Sequence, residues 1–100
     1  MAKVKHIALM QFQPNVTPEQ IDGVFNQLLD LSESIPGVED FISGPNNSPE
    51  GLADGHTHAF VMTFTDAAAR DAYMPHPEHA AFVEGLKPLL AKVTVVDFEL

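Results

Sequence analysis

The sequence contains no cysteine and no tryptophan, and only five of its 100 residues are lysine or arginine. The absence of cysteine excludes disulfides, a thiolate nucleophile and a cysteine-ligated zinc site. Fourteen acidic residues give a net charge of −9, which repels nucleic-acid phosphates and anionic lipid. No apolar run approaches the roughly 20 residues of a membrane-spanning helix, and no signal-peptide core is visible. We therefore expect a cytoplasmic protein without nucleic-acid or membrane partners.

The residues that are present have the composition of a globular protein, with 45% apolar and 19% charged side chains. This length and composition predict a single domain over residues 1–100 with one modest core. Alternating apolar residues predict four strands, at 4–12, 38–43, 57–64 and 93–98. Helical spacing and capping residues predict three helices. The first is at 18–35 after a Thr17–Gln20 capping box, the second is capped by Thr65 or Asp66 and reaches Tyr73, and the third is at 77–91 with a bend at Pro88. The order predicts an α+β, ferredoxin-like protomer, whose four-stranded antiparallel sheet carries helices on one face.

Both faces of the first and third predicted strands are largely apolar, although the helices cover only one face. We assign the helices to the face of Ile7, Leu9, Ala59 and Val61. The opposite face then exposes a large apolar patch, which monomers rarely tolerate. That patch consists of His6, Met10, Phe12, Phe60, Met62 and Phe64. The sequence therefore predicts a homodimer whose sheets face each other, with this patch toward the partner or a nearby cavity.

Histidine and tyrosine are the candidate chemical residues. His6 and His58 share the face of the methionine and phenylalanine residues, and Asp97 on the last strand could approach His6. Tyr73, His76 and His79 lie three residues apart around a proline-bounded break. Such residues can donate and accept protons in a pocket. Alternatively, His76 caps the helix that begins at Pro77 and Tyr73 is a core residue.

Two histidine pairs leave a metal site as an alternative. His56 and His58 can point to one side of a strand, and His76 and His79 can chelate from a helix. Neither pair has an obvious third or fourth ligand in the sequence.

Four motifs in chain order together resemble one known family. They are Lys5-His6, then Thr57-His58 with Thr63-Phe64, then Tyr73 with His76-Pro77-Glu78-His79 and Phe82, and finally Lys92 through Val96-Asp97-Phe98. They are similar to the stress-responsive dimeric α/β-barrel (Dabb) domain over almost the whole chain. The resemblance implies a ferredoxin-like protomer that pairs sheet to sheet.

The resemblance also implies a possible activity without a metal or organic cofactor. A plant polyketide cyclase of this family closes a linear polyketide by an intramolecular aldol condensation. Its catalytic tyrosine and histidine match Tyr73 and His79, and two pocket histidines match His6 and His58. The predicted substrate-binding residues are His6, His58, Met10, Phe60, Met62, His76 and Phe82. His56 and Pro75 depart from the family pattern.

Three functions are consistent with the sequence. The first is a cofactor-free cyclase or lyase for a small ketone or polyketide. The second is a non-catalytic, stress-associated dimer that binds a small molecule. The third is a metal-dependent protein that uses the histidine pairs.

Overall fold

The structure, a computed structural model, describes residues 2–100 as a four-stranded antiparallel sheet with helices on one face. The strands are β1 (Val4–Phe12), β2 (Val38–Pro45), β3 (His58–Phe64) and β4 (Leu90–Glu99). The helices are α1 (Pro18–Ser34), α2 (Ala67–Tyr73) and α3 (Pro77–Leu86). The strand order β2-β3-β1-β4 confirms the predicted ferredoxin-like fold.

Helix α1 begins at the predicted capping box. The Thr17 side chain accepts a hydrogen bond from the backbone N–H of Gln20, and the Gln20 side chain accepts one from the backbone N–H of Thr17. Two orphan donors at the helix start are thereby satisfied. The helix then packs Val24, Leu28 and Leu31 against the sheet. Within residues 2–100, no helix is long and apolar enough to cross a membrane.

Helix α3 is shorter than the sequence predicts. It ends at Leu86, a 3-10 turn follows over Lys87–Leu89, and β4 begins at Leu90. The prediction of a bent helix reaching Ala91 was therefore wrong. Pro88 has no N–H to continue the helix, and its ring clashes with the preceding turn. The chain therefore leaves the helix early and starts the last strand three residues sooner.

The helices cover the opposite face of the sheet from the one that we expected. His6, Met10, Phe60 and Met62 are buried under the helices. Ile7 and Leu9, which we assigned to the helices, lie on the open face and are half-buried. Strand parity separates the two faces but does not say which one is covered. The bulky aromatic and methionine side chains fill the space beneath the apolar stripe of α1.

The open face carries a row of β-branched residues across all four strands. Cross-strand pairing aligns Ile42, Val61, Ile7 and Val96. Ile42 and Val96 are 59% and 56% exposed in the single chain. Phe98 extends the apolar surface beside Lys5. The apolar patch that the sequence analysis anticipated thus exists, with different residues.

Candidate active site

A cavity of about 350 Å³ lies between the sheet and helices α2 and α3. Its wall is mostly apolar and includes Met10, Phe60 and Phe82. The polar or ionisable side chains of the wall are those of His6, Tyr73, His79 and Lys87. This volume is near the lower end of the range for small-molecule sites. Six of the nine predicted site residues therefore line one cavity.

Tyr73 ends helix α2 and is 1% exposed. Its ring packs edge-on against Phe64 at a centroid distance of 5.1 Å. Burial raises the pKa of the phenol to about 12, because the charged form loses hydration. The Tyr73 side chain lines the cavity. The phenol thus keeps its proton and offers it to the cavity.

His79 lies in the first turn of α3, with its ring centroid 4.4 Å from that of Tyr73. Its Nδ1 lies 2.9 Å from the backbone carbonyl oxygen of Met74. A carbonyl oxygen only accepts, so Nδ1 carries the proton in this hydrogen bond. In the neutral ring, Nε2 is then the acceptor. His79 is therefore arranged to take a proton through Nε2.

His6 reaches the cavity from β1 and is held by a chain of charged groups. Its Nδ1 lies 2.7 Å from Oδ1 of Asp97, whose Oδ2 accepts from Nη1 of Arg70 at 3.0 Å. Arg70 also donates from Nε to Asp71 at 2.9 Å. The hydrogen bond to Asp97, followed by the bond to Asp71, raises the pKa of Arg70. Because Arg70 stays charged, Asp97 accepts on both oxygens and fixes the orientation of His6.

Three predicted binding residues lie outside the cavity. His58 packs its ring between Phe12 and Phe25, at centroid distances of 5.5 and 5.6 Å. Met62 is fully buried in the core. His76 is the N-cap of α3, where Nδ1 accepts from the backbone N–H of Glu78. These three side chains thus lie outside the cavity, and His76 has the capping arrangement that was its alternative interpretation.

The surroundings of His58 lower its pKa. Loss of hydration on burial is the main cause, and the charge of Asp22 acts in the opposite direction. The ring therefore favours its neutral form, in keeping with a packing role.

The histidine pairs are already engaged by other groups. His56 contacts the Ala53 carbonyl oxygen through Nδ1 at 2.8 Å and the Thr94 hydroxyl through Nε2 at 3.0 Å. His58 pairs Nδ1 with the Thr57 hydroxyl. Across residues 2–100, no group of three or more histidine, aspartate or glutamate side chains is placed to hold a metal ion.

Comparison with known proteins identifies the family. The sequence model described as "Stress responsive A/B Barrel Domain" matches residues 4–100. The chain belongs to this family. Its membership confirms the resemblance inferred from the Tyr73 to His79 segment and the strand motifs.

Two relatives of the family match the chain over nearly its whole length. The stress-response A/B barrel domain-containing protein HS1 of Arabidopsis thaliana is 34% identical over 96 residues, or 96% of this chain and 88% of that protein. Olivetolic acid cyclase of Cannabis sativa is 25% identical over 95 residues, or 95% of this chain and 94% of that protein.

Two solved structures share the fold. Hydroxynitrile lyase from Passiflora edulis has a TM-score of 0.91 and 25% identity, covering 98% of this chain and 93% of that one. A dimeric ferredoxin-like protein from Thermobifida fusca yx has a TM-score of 0.81 and 32% identity, covering 99% and 92%. The chain is therefore similar to a cyclase, a lyase and a dimeric protein of the same architecture.

Two residues of the site, Arg70 and Lys87, were not predicted from the sequence. Lys87 lines the cavity, and Arg70 holds Asp97 against His6. Arg70 lies one helical turn before Tyr73, a spacing that could have drawn attention to it. Lys87 follows the end of α3, which the sequence analysis placed further along the chain.

Proposed function

We propose that this protein is a cofactor-free cyclase or lyase that makes or breaks a carbon–carbon bond at the carbonyl group of a small molecule. The observation that carries the proposal is the contact between Tyr73 and His79 in one apolar cavity. His79 acts as the base, and Tyr73 is the hydrogen-bond donor to the substrate oxygen.

In the cyclising direction, Nε2 of His79 removes a proton from the carbon next to a carbonyl group. The resulting enolate carbon attacks a second carbonyl carbon of the same molecule and forms a carbon–carbon bond. The oxygen of that carbonyl becomes an alkoxide, which then takes the proton back from His79. Each well-placed acid or base contributes typically about a hundred- to ten-thousand-fold in rate.

Tyr73 stabilises the oxygen on which negative charge develops. A phenol with a pKa of about 12 remains protonated at neutral pH and donates a hydrogen bond without losing its proton. The apolar wall strengthens this interaction because it lowers the local dielectric constant. His6, held by Asp97, orients a further polar group of the substrate.

The same two residues support the cleavage of a hydroxynitrile. Removal of the hydroxyl proton by the base allows the carbon–carbon bond to break, and the leaving cyanide takes up the proton. Both reactions interconvert a carbonyl oxygen and an oxygen on a tetrahedral carbon. The relationship to a cyclase and the similarity to a hydroxynitrile lyase therefore support one type of chemistry with two substrate classes.

The test is turnover of β-polyketone acids and hydroxynitriles by the wild type, Tyr73→Phe and His79→Ala. Tyr73→Phe keeps the ring that packs on Phe64, so we expect a folded protein whose rate is at least about a hundredfold lower. Glu78→Ala is the control for His79→Ala, because it removes a neighbouring side chain of α3 that lies outside the cavity. Wild-type turnover by folded Tyr73→Phe contradicts the proposal. Binding without turnover by the wild type favours the non-catalytic dimer instead.

The protein also forms a homodimer in this proposal, with the open faces of two sheets packed together. The row of Ile42, Val61, Ile7 and Val96 supplies a continuous apolar strip that a second copy can cover. The similarity to a dimeric ferredoxin-like protein at 32% identity supports this arrangement.

Val61→Lys tests the dimer because it places a charge at the centre of this row. Light scattering should give twice 10.9 kDa for the wild type and 10.9 kDa for the variant. Asn26→Lys adds the same charge on the exposed side of α1 and should leave the mass at the dimer value. A wild type that is monomeric at micromolar concentration contradicts this part of the proposal.

A further inference from the structure

The active-site cavity differs from the rest of the protein in which charged residues line it. The chain has 14 acidic residues, yet within residues 2–100 none of them lines this cavity. Lys87 lines it, together with His6, His79 and Tyr73. A cavity wall that contains a lysine and no acidic residue favours an anionic ligand.

Lys87 differs from the other cationic residues in how weakly it is held. Lys3 pairs with Glu39 at 2.8 Å, Arg70 pairs with Asp97, and Lys92 pairs with Asp54. Lys5 donates to the Thr63 hydroxyl at 2.9 Å.

The partner of Lys87 is Glu84, at 3.3 Å, and the two side chains are 65% and 75% exposed. An exposed pair of this kind contributes little to stability. The ammonium group can therefore exchange Glu84 for a ligand carboxylate at little cost.

Lys87 and His79 lie at opposite ends of α3. His79 lies in the first turn of α3 and Lys87 follows its last residue, eight positions later. A rise of 1.5 Å per residue places them about 12 Å apart along the helix axis. The wall between them includes Phe82, Val83 and Leu86. The cavity thus has an acid–base end, an apolar middle and a cationic end.

We propose that the ligand of this cavity is an apolar carboxylate, whose carboxylate group pairs with Lys87 while its reacting carbonyl lies at Tyr73 and His79. This inference deepens the proposed function and assigns Lys87 as the residue that selects an acidic substrate. The apolar segment of the ligand lies between these two ends, beside Phe82, Val83 and Leu86.

Binding of octanoate and 1-octanol to the full chain tests the inference, because the two probes differ in charge at one end of the same alkyl chain. The methyl NMR signals of Met10 and Met74 report on the cavity wall, while that of fully buried Met62 serves as an internal reference. We expect octanoate to bind more tightly than octanol. In Lys87→Gln, the dissociation constant of octanoate should rise by roughly two- to fivefold, while that of octanol should not change.

Lys92→Gln is the matched control, because Lys92 pairs with Asp54 away from the cavity. Equal binding of octanoate by the wild type and Lys87→Gln overturns the inference, as does equal binding of both probes by the wild type. These outcomes leave the acid–base roles of Tyr73 and His79 untouched. If neither probe shifts the Met10 and Met74 signals, the inference fails and the cavity of the proposed function is also in doubt.

Discussion

Replacing Asp97 by asparagine should reverse the tautomer of His6. In the wild type, one carboxylate oxygen accepts from Nη1 of Arg70 and the other accepts from Nδ1 of His6. Arg70 can only donate, so the amide oxygen of the variant must face Arg70. The amide nitrogen then faces His6 and donates to Nδ1, which must give up its proton. The neutral ring therefore carries its proton on Nε2, toward the cavity.

The expected loss of stability follows from the two hydrogen bonds of Asp97. A hydrogen bond to a charged group contributes about 1.5–3 kcal/mol, and the variant keeps both bonds but loses the negative charge of the carboxylate. The side chains of Asp97 and Arg70 are 20% and 26% exposed, which screens part of the effect. We therefore expect the free energy of unfolding to fall by about 1–2 kcal/mol. For a chain of 100 residues this lowers Tm by roughly 4–16 °C.

The ring-nitrogen chemical shifts of His6, measured near pH 8, distinguish the two tautomers, and urea unfolding gives the stability. Asp71→Asn is the matched control, because Asp71 contacts Nε of the same arginine but is 70% exposed and does not touch His6. Asp71→Asn should lower the free energy of unfolding by less than about 0.5 kcal/mol and leave the tautomer of His6 unchanged. A proton that stays on Nδ1 of His6 in Asp97→Asn would refute the reasoning.

Two further predictions concern stability. Gly37→Ala should lower the free energy of unfolding by at least about 2 kcal/mol, because Gly37 has φ +95° and an added Cβ would lie 2.6 Å from Cβ of Ala69. Gly23→Ala, in the middle of α1 where an added Cβ meets no other atom, should instead raise the free energy of unfolding by about 0.5–1 kcal/mol. Urea unfolding measures both variants, and a Gly37→Ala protein as stable as Gly23→Ala contradicts this prediction. The pKa of His58 is lowered in the folded protein. When the pH falls below 6.5, the ordinary pKa of histidine, the unfolded chain therefore binds a proton at this residue more readily than the folded chain does. His58→Gln should therefore lose less stability than the wild type as the pH falls through this range. Parallel curves of unfolding free energy against pH for the two proteins would rule out the effect.

The element boundaries could be predicted wherever a local signal fixes them. The capping box of Thr17 and Gln20 starts α1 at the expected residue, and Asp66 caps α2 as one of two predicted candidates. Pro77 starts α3, also as predicted. Pro88 was interpreted as a bend although it ends the helix, because a proline alone does not say whether the chain continues beyond it.

The covered face of the sheet could not be predicted from alternation. Strands β1 and β3 carry apolar residues on both faces. Alternation along each strand therefore sorts the residues correctly into two faces, but it does not say which face packs against the helices. The structure buries the aromatic and methionine group and exposes the β-branched group. Ile7 and Val61 therefore move from the predicted core to the proposed dimer interface.

Strand register explains why the two strand histidines are separated. His6 pairs with Met62, whereas His58 pairs with Met10. His58 therefore lies four residues from the partner of His6, which corresponds to about 14 Å along the strands. Both side chains share a face, as predicted, but only His6 reaches the cavity. Residues that share a face of the sheet point in the same direction, but they can lie far apart along the strands.

The segment from Tyr73 to His79 links local sequence to the proposed chemistry. The Met74 carbonyl oxygen would normally accept from the backbone N–H three or four residues later. Pro77 has no N–H, and the N–H of Glu78 donates to the capping side chain of His76. The Met74 oxygen is therefore left to accept from Nδ1 of His79, which directs Nε2 of that ring to act as an acceptor. His76 lies outside the cavity, yet its capping role helps to set the tautomer of the residue that we propose as the base.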